Sequence, residues 1–254
     1  MYQLKKSLGQ HFLHDEQMCR KIVDQLQPKK ELQLLEIGPG GGALSKYLLH
    51  LNEINYKAVE VDPEKVAYLN RTFPAIQDKL IQADFLKAAC PFEGNFSIIG
   101  NFPYNISTQI MFKILDWENH VDEVIGMFQK EVALRIAAAH GNKTYGILSV
   151  LIQCYFRVDY LFEVHENCFT PPPKVKSAVV RFTNLHNPYQ VENKKKFFTV
   201  VKTAFGQRRK TLRNALKALY RGNMTEDEVW SKRAEQLSVP DFVDLYKRYF
   251  EHGQ

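Results

Sequence analysis

Cysteines are few in this sequence, and none of them forms a close pair. Cys19, Cys90, Cys154 and Cys168 are scattered along 254 residues without a C-x-x-C spacing. This pattern argues against a disulfide framework and against a structural zinc site, and it favours reduced thiols in a cytosol. We therefore expect no metal.

Long apolar runs are also missing. No segment reaches the ~20 residues that a membrane-spanning helix needs, and residues 1–7 are not followed by the apolar core of a signal peptide. We expect no membrane association and a cytoplasmic location. The chain is long enough for one large domain, or for a large and a small one.

Acidic residues become scarce toward the end of the chain. Residues 174–254 hold 17 Lys and Arg but only 8 Asp and Glu, in a protein of net charge +6. The segment Lys194–Arg221 contains ten basic residues and no acidic one. This asymmetry suggests that the basic part binds a polyanion. The alternative is a solvated helical face.

The G-x-G-x-x-G fingerprint of dinucleotide-binding folds is absent from the first glycine-rich turn. Residues 34–42 instead give an apolar run, a carboxylate and then Gly38-x-Gly40-x-Gly42. The apolar run predicts a buried strand, and residues 43–49 predict a helix. Glycines at such a turn let the backbone approach a ligand closely, although an ordinary tight turn would look similar.

Acidic residues stand at the ends of the next two predicted strands. Glu60 lies in the strand predicted over 56–62, 22 residues after Gly38, and Asp84 lies in the strand predicted over 80–86. An acid in the first position suits the hydroxyls of a ribose, and one in the second can accept from an amine such as adenine N6. Ligands of open α/β sheets bind at the carboxyl ends of the strands, so these residues should converge on one crevice.

The most specific stretch is Asn101-Phe102-Pro103-Tyr104-Asn105, after a strand predicted over 96–100. A nucleobase amine is a poor nucleophile because its lone pair is delocalised into the ring. Asn101 Oδ1 and the carbonyl of Phe102 could accept its hydrogens, and Tyr104 offers a face for stacking. Phe169 is a candidate second aromatic wall, with a plain core residue as the alternative.

Helices and strands continue to the end of the chain. We predict strands over 124–128 and 177–182, a helix over 130–140, and a strand or buried helix over 146–152. Beyond residue 187 the period is helical, with an apolar face formed by Phe197, Val200, Val201, Ala204 and Phe205. The expected domains are 1–186, with an N-terminal arm over 1–14, and a helical domain over 187–254.

Taken together, the motifs resemble those of KsgA-type small-subunit ribosomal RNA adenine N6,N6-dimethyltransferases, over the whole length of the chain. The segments that carry the resemblance are residues 6–13 (KSLGQHFL), 36–42 (EIGPGGG), Glu60, 83–84 (AD), 101–107 (NFPYNIS), 129–133 (QKEVA), 169–175 (FTPPPKV) and 207–213 (QRRKTLR). The chain departs from the family pattern with His11, Phe102 and Leu134, where many members have Asn, Leu and an acidic residue.

The resemblance implies a doubly wound, Rossmann-like class I methyltransferase sheet (α/β) with a small all-helical C-terminal domain. It implies S-adenosylmethionine as methyl donor and no metal. The implied cofactor-binding residues are Gln10, His11, Leu13, Gly38, Gly40, Glu60, Asp84, Phe85 and Asn101. Gly38 would face the amino-acid end of the donor, Glu60 its ribose and Asp84 its adenine, and Asn101 would bridge donor and target. The catalytic candidates are Asn101, Tyr104 and Phe169.

The implied activity is dimethylation of two adjacent adenosines in the 3′-terminal hairpin loop of small-subunit (16S) rRNA. The expected partner is the small ribosomal subunit, bound by a monomer. Candidate RNA-binding residues are Lys5, Lys6, Arg208, Arg209, Lys210 and Arg213. Two alternatives stay open: a large-subunit rRNA dimethylase of the macrolide-resistance type, and a non-catalytic RNA-binding assembly factor.

Overall fold

A computed structural model describes residues 11–27 and 29–251, so the predicted roles of Lys5, Lys6 and Gln10 lie outside the described residues. Its strands are β1 Phe12–Leu13, β2 Leu32–Ile37, β3 Ile54–Glu60, β4 Leu80–Gln82, β5 Phe96–Asn101, β6 Val121–Gln129, β7 Phe156–Val164, β8 Phe169–Thr170 and β9 Ser177–Asn184. Its α-helices are α1 Glu16–Val23, α2 Ser45–Leu48, α3 Pro63–Thr72, α4 Ser107–Asp116, α5 Lys130–Ile136, α6 Ile147–Gln153, α7 Lys194–Gly206, α8 Leu212–Leu216 and α9 Val239–Tyr246.

The described chain contains a seven-stranded sheet, whose strands lie in the order β4-β3-β2-β5-β6-β9-β7. The strands from β4 to β6 pair in parallel, and β9 runs antiparallel to β6. The chain order reverses between β2 and β5, and a ligand crevice is expected outside the carboxyl ends at such a point. This order confirms the predicted doubly wound sheet.

The local sequence explains how the first elements begin and end. Leu34 and Leu35 in β2 are fully buried, as expected of a parallel strand covered on both faces. Asp15 caps α1 by accepting from the backbone N–H of Met18 at 2.8 Å. Asp62 caps α3 by accepting from the N–H of Glu64 at 3.0 Å, with proline in the first helical turn. Asp is a favoured N-cap residue and proline is favoured at the first helical position, so the local sequence accounts for both helix starts.

Two predicted elements end earlier in the structure, one segment with two predicted alternatives is a helix, and one strand was not predicted. β4 ends at Gln82, because Asp84 accepts from the N–H of Leu86 at 3.0 Å and starts a 3₁₀ turn rather than continuing the strand. The helix predicted over 130–140 ends at Ile136, and residues 147–153, left open between strand and helix, are helical. β7 was not predicted, since most of its residues are only partly buried and the sequence shows no apolar run there.

The described chain divides into two compact units. One comprises the chain up to Ala133 together with Asp159–Asn184, and the other comprises Leu134–Val158 together with the chain from Leu185 onward. The division falls within α5 and within β7. The predicted boundary near residue 187 therefore lies close to the start of the last segment, but the second unit also includes residues 134–158, which the sequence had assigned to the first domain.

The second unit has a helical core rich in aromatic side chains. The predicted apolar face of α7 is buried throughout. Phe205 stacks on Phe242 with ring centroids 5.6 Å apart, and Phe197 meets the edge of Tyr246 at 5.4 Å. These contacts join α7 to α9, which confirms the predicted helical C-terminal part.

The sequence analysis also concerned membrane-spanning helices and cysteine pairs. Among them, no helix combines the length and the apolar character that crossing a bilayer requires. The four cysteines are free thiols, and burial raises the pKa of both Cys19 and Cys154 to about 12.

Candidate active site

The glycine turn after β2 opens a cavity at the carboxyl ends of the parallel strands. Gly38 and Gly40 adopt φ values of 66° and 60°, in the left-handed region that side chains with a Cβ rarely enter. The Gly38 N–H donates to the carbonyl of Val59 at 2.9 Å, which ties the turn to β3. The cavity is lined by this turn, by the ends of β3 and β5, and by residues that follow β4.

A buried carboxyl group lies beneath the turn. Glu36 is 2% exposed, and its Oε2 accepts from Ser45 Oγ at 2.7 Å and from the hydroxyl of Tyr56. Burial raises the pKa of Glu36 to about 7, against the lowering effect of the Tyr56 and Ser45 hydrogen bonds. Burial also raises the pKa of Tyr56 well above its ordinary value, so the phenol stays a donor. The carboxyl group thereby connects β2, β3 and α2 under the cavity.

Glu60, predicted to accept the ribose hydroxyls, is held by the backbone around it. Its Oε2 accepts from the N–H of Gly40 at 3.1 Å, and its Oε1 accepts from the N–H groups of Val61 and Asp62 at 3.0 Å. Lys65 Nζ lies 3.9 Å from Oε2. A carboxylate has about four acceptor positions. The hydroxyls of a ribose would therefore share the acceptor positions of Glu60 with the backbone N–H groups that it already binds.

The predicted adenine side of the cavity combines a carboxylate with apolar surface. Asp84 is half-buried, and its Oδ2 lies 3.8 Å from Lys87 Nζ. Phe85 is buried, whereas Val61 is 55% exposed, and both line the cavity beside Asp84. An exposed apolar side chain next to a carboxylate fits the face and the exocyclic amine of a purine ring, so these residues suit the adenosine part of S-adenosylmethionine.

Asn101 is the last residue of β5 and Tyr104 follows it shortly, and both line the cavity. Asn101 Nδ2 lies 3.5 Å from the carbonyl oxygen of His11, which leaves Oδ1 available as an acceptor. The Tyr104 hydroxyl is hydrogen-bonded to Ser177 Oγ. The ring of His11 stacks on Tyr104 with centroids 5.5 Å apart, and its Nδ1 lies 2.8 Å from the carbonyl of Pro171. His11 therefore contacts the site through its ring and its backbone.

Phe169, predicted as a second aromatic wall with a core residue as the alternative, is buried beside the cavity. It is 2% exposed and belongs to the hydrophobic core, and it is not among the described residues that line the cavity. The reason is a pairing that the sequence did not reveal: β8 runs antiparallel to β1, with Phe169 opposite Leu13. Leu13 does line the cavity, so the aromatic partner that the structure places against Tyr104 is His11.

The basic residues of the second unit differ in their surroundings. Arg208 Nε donates to Glu235 Oε2 at 2.8 Å and its guanidinium reaches the carbonyl of Asn142 at 3.3 Å. Arg213 Nε donates to the carbonyl of Met224 at 3.2 Å. Arg209 and Lys210 are exposed. Arg208 and Arg213 thus help to hold the unit together, whereas Arg209 and Lys210 are presented to solvent.

Within residues 11–27 and 29–251, no group of three or more His, Cys, Asp or Glu side chains has a metal-binding arrangement. The structure brings together these predicted site residues of the described chain: His11, Leu13, Gly38, Gly40, Glu60, Asp84, Phe85, Asn101 and Tyr104.

Sequence reasoning missed three residues that the structure places at this site. Lys65 lies next to Glu60, Ser177 binds the Tyr104 hydroxyl, and Glu36 is buried under the turn. A signal existed only for Glu36, since a carboxylate inside an apolar run before a glycine turn is costly unless it is hydrogen-bonded. Lys65 and Ser177 are common residues at ordinary positions, and only the fold shows their neighbours.

The chain is similar in sequence to proteins of known function. The family model described as ribosomal RNA adenine dimethylase matches residues 1–250. "Ribosomal RNA small subunit methyltransferase A" of Cytophaga hutchinsonii is 53% identical over 95% of this chain and 95% of its own length. The protein of the same name from Flavobacterium johnsoniae is 51% identical over 98% of this chain and 97% of its own length.

Among solved structures, a dimethyladenosine transferase from Plasmodium falciparum superimposes with a TM-score of 0.79. The match covers 94% of this chain and 100% of that one, at 22% sequence identity. At this identity the likeness shows the shared fold.

Proposed function

Because the chain belongs to the ribosomal RNA adenine dimethylase family, we propose that it dimethylates N6 of two adjacent adenosines in the 3′-terminal hairpin loop of small-subunit (16S) rRNA, with S-adenosylmethionine as methyl donor, during ribosome biogenesis. The observation that carries the proposal is the geometry of one cavity. Glu60 and Asp84 line one part of it, and Asn101 and Tyr104 line another. A donor and a target adenine can therefore meet over the ends of β2 and β5.

S-adenosylmethionine, when bound, supplies an electrophilic methyl group on a sulfonium. The chain's own residues must then position the amine. Asn101 Oδ1 accepts a hydrogen of N6, because Nδ2 is directed to the His11 carbonyl. Such an acceptor directs the nitrogen lone pair toward the methyl carbon and stabilises the positive charge that develops on the amine.

With the methyl donor bound, transfer would form an N6–C bond and break the donor's C–S bond, whose electron pair would stay on sulfur. The extra proton on N6 leaves to water, so we propose that neither a general base nor a metal ion is required. Tyr104 holds the adenine by stacking, which is worth roughly 1–3 kcal/mol per base. Its hydroxyl is hydrogen-bonded to Ser177, which anchors the hydroxyl end of the ring.

Each part of S-adenosylmethionine has its own proposed contact residues. Gly38 and Gly40 take the amino-acid end, Glu60 the ribose, and Asp84 with Phe85 the adenine. Leu13 of β1 and His11, just before this strand, line the cavity, and Gln10 is proposed from the sequence motif alone. Support for the ribose contact comes from the position of Glu60 at the carboxyl end of β3, bonded to Gly40 at 3.1 Å.

The proposed partner is the small ribosomal subunit and its rRNA, bound by a monomer in the cytoplasm, where such subunits are assembled. Arg209 and Lys210 are the best candidates for phosphate contacts in the second unit because they are exposed. Arg208, Arg213, Lys5 and Lys6 remain candidates from the sequence. The names of the two curated relatives specify the small subunit, which favours this substrate over the large-subunit alternative.

Deletion of the gene, followed by mass analysis of rRNA, tests the proposal. We expect the two dimethyladenosines of the small-subunit hairpin to disappear in the deletion strain and to return with the wild-type chain. Complementation with Asn101→Ala should not restore them. Normal dimethylation in the deletion strain would contradict the proposal, and restoration by Asn101→Ala would favour a different catalytic group.

A further inference from the structure

Three charged side chains form a cluster outside the cavity described above. Lys130 Nζ lies 2.5 Å from Glu163 Oε1, and Lys176 Nζ lies 3.7 Å from Glu163 Oε2. The side chains are 38%, 40% and 48% exposed for Lys130, Glu163 and Lys176, respectively. We call these residues the lysine cluster. Two ammonium groups share one carboxylate, so the cluster keeps a net positive charge.

Backbone pairing places the lysine cluster at the same end of the strands as the catalytic candidates. Asn101 pairs with Met127 across β5 and β6, and Gln129 pairs with Ser177 across β6 and β9. The next residue on each side is a lysine, and the Lys130 N–H donates to the Lys176 carbonyl at 2.9 Å. Ser177 in turn binds the Tyr104 hydroxyl. Each lysine is thus one residue away from this pair, and Lys176 directly precedes Ser177, the residue that binds the Tyr104 hydroxyl.

The position of this charge matters because a target base cannot enter the cavity alone. An adenosine turned out of its loop brings two phosphodiesters to the rim, and single-stranded RNA is commonly held by cationic side chains beside a stacking aromatic. Glu163 holds both lysines in place before RNA arrives. The pair lowers the pKa of Glu163 and raises that of Lys130, so both stay charged at neutral pH.

We propose that Lys130 and Lys176 bind the phosphodiester backbone beside the target adenosine, and that Glu163 is the acceptor which this phosphate displaces. The inference rests on the proposed function, since it takes the RNA bound at Tyr104 as its ligand. It assigns RNA contacts to the methyltransferase unit, in addition to the basic residues of the second unit. It also predicts that Glu163, although conveniently placed for an ion pair, opposes RNA binding.

The test compares three charge-removing variants with control variants of a similar ion pair at the opposite ends of the strands. The variants are Lys130→Gln, Lys176→Gln and Glu163→Gln. Lys29 Nζ pairs with Asp122 Oδ2 at 2.9 Å with similar exposure, just before β2 and at the start of β6. Lys29→Gln removes the same charge as Lys130→Gln or Lys176→Gln, and Asp122→Asn removes the same charge as Glu163→Gln. Both control changes lie at the strand ends opposite the cavity. The probe is the unmethylated small ribosomal subunit, bound at several salt concentrations.

We expect each variant of Lys130 or Lys176 to weaken binding about threefold relative to the Lys29→Gln control. The slope of log affinity against log salt should fall by about 0.7 for each lost contact with single-stranded RNA. Glu163→Gln should strengthen binding, because both lysines are then free for phosphate. The affinity for S-adenosylmethionine alone should be unchanged in all three variants.

Two results would overturn the inference. One is binding by Lys130→Gln and Lys176→Gln that equals that of the Lys29→Gln control, which would make the cluster a solvated ion pair. The other is weaker binding by Glu163→Gln, which would mean that the ion pair supports the local structure. Failure of the proposed function looks different: wild-type protein would then bind the subunit, or fail to bind it, without methylating its adenosines.

Discussion

Substitution of Glu36 by Gln should change how the stability of the protein depends on pH. Glu36 is 2% exposed under the glycine turn and accepts from Ser45 and Tyr56. Gln has the same shape and keeps an acceptor oxygen for both hydroxyls, but it cannot ionise. The comparison therefore isolates the cost of a buried negative charge from the packing of the side chain.

The sign and the size of this pH dependence of stability follow from the raised pKa of the Glu36 carboxyl group. In the unfolded chain it titrates near 4.5, and in the folded protein burial raises its pKa to about 7. The folded state binds the proton more tightly, so the stability from Glu36 is fully present below pH 4.5 and is lost as the pH rises through 7. The resulting loss is roughly 2.5 kcal/mol between pH 5 and pH 8.

Chemical denaturation at several pH values measures this effect. The free energy of unfolding of Glu36→Gln, minus that of the wild type, should rise by about 2.5 kcal/mol from pH 5 to pH 8. The exposed Glu93→Gln is the matched control and should show no such rise. Parallel curves for Glu36→Gln and the wild type would refute the reasoning, since the pKa of Glu36 would then be the same in the folded and the unfolded chain.

Other predictions concern the cavity and the second unit. Asn101→Ala should abolish methylation while the affinity for S-adenosylmethionine, measured by calorimetry, falls far less, because the lost acceptor acts on the amine during transfer. Tyr104→Phe and Ser177→Ala should both reduce turnover mildly and Tyr104→Ala strongly; equal damage from Phe and Ala would disprove the stacking account. Glu60→Ala should weaken binding of S-adenosylmethionine by roughly 1–3 kcal/mol, whereas unchanged affinity would contradict the ribose assignment. Neutralising Arg209 and Lys210 together should weaken subunit binding and flatten its salt dependence, and Arg208→Gln should instead lower the thermal stability of the protein.

Much of the site could be predicted because its elements are encoded locally. Apolar runs that end in Gly38, Glu60 and Asn101 define the strands, and the parallel sheet brings their carboxyl ends together. The helix caps at Asp15 and Asp62 are likewise read from neighbouring residues. Local signals of this kind do not depend on how distant parts of the chain pack.

What could not be predicted depends on distant contacts. The sequence offered Phe169 as an aromatic wall or as a core residue, and its burial opposite Leu13 results from a long-range strand pairing. Arg208 looked like a phosphate ligand, yet it pairs with Glu235, 27 residues away. The stacking of His11 on Tyr104 joins residues 93 positions apart in sequence, and no local pattern announces it.

The central claim is that this cavity dimethylates adenosines of the small ribosomal subunit. The most direct measurement incubates the purified protein with labelled S-adenosylmethionine and either unmethylated small subunits or large subunits, followed by mass analysis of the RNA. We predict two methyl groups on N6 of each of two adjacent adenosines in the small subunit, and none in the large subunit. Methyl groups confined to large-subunit RNA, or no transfer to either particle by protein that binds S-adenosylmethionine, would contradict the account.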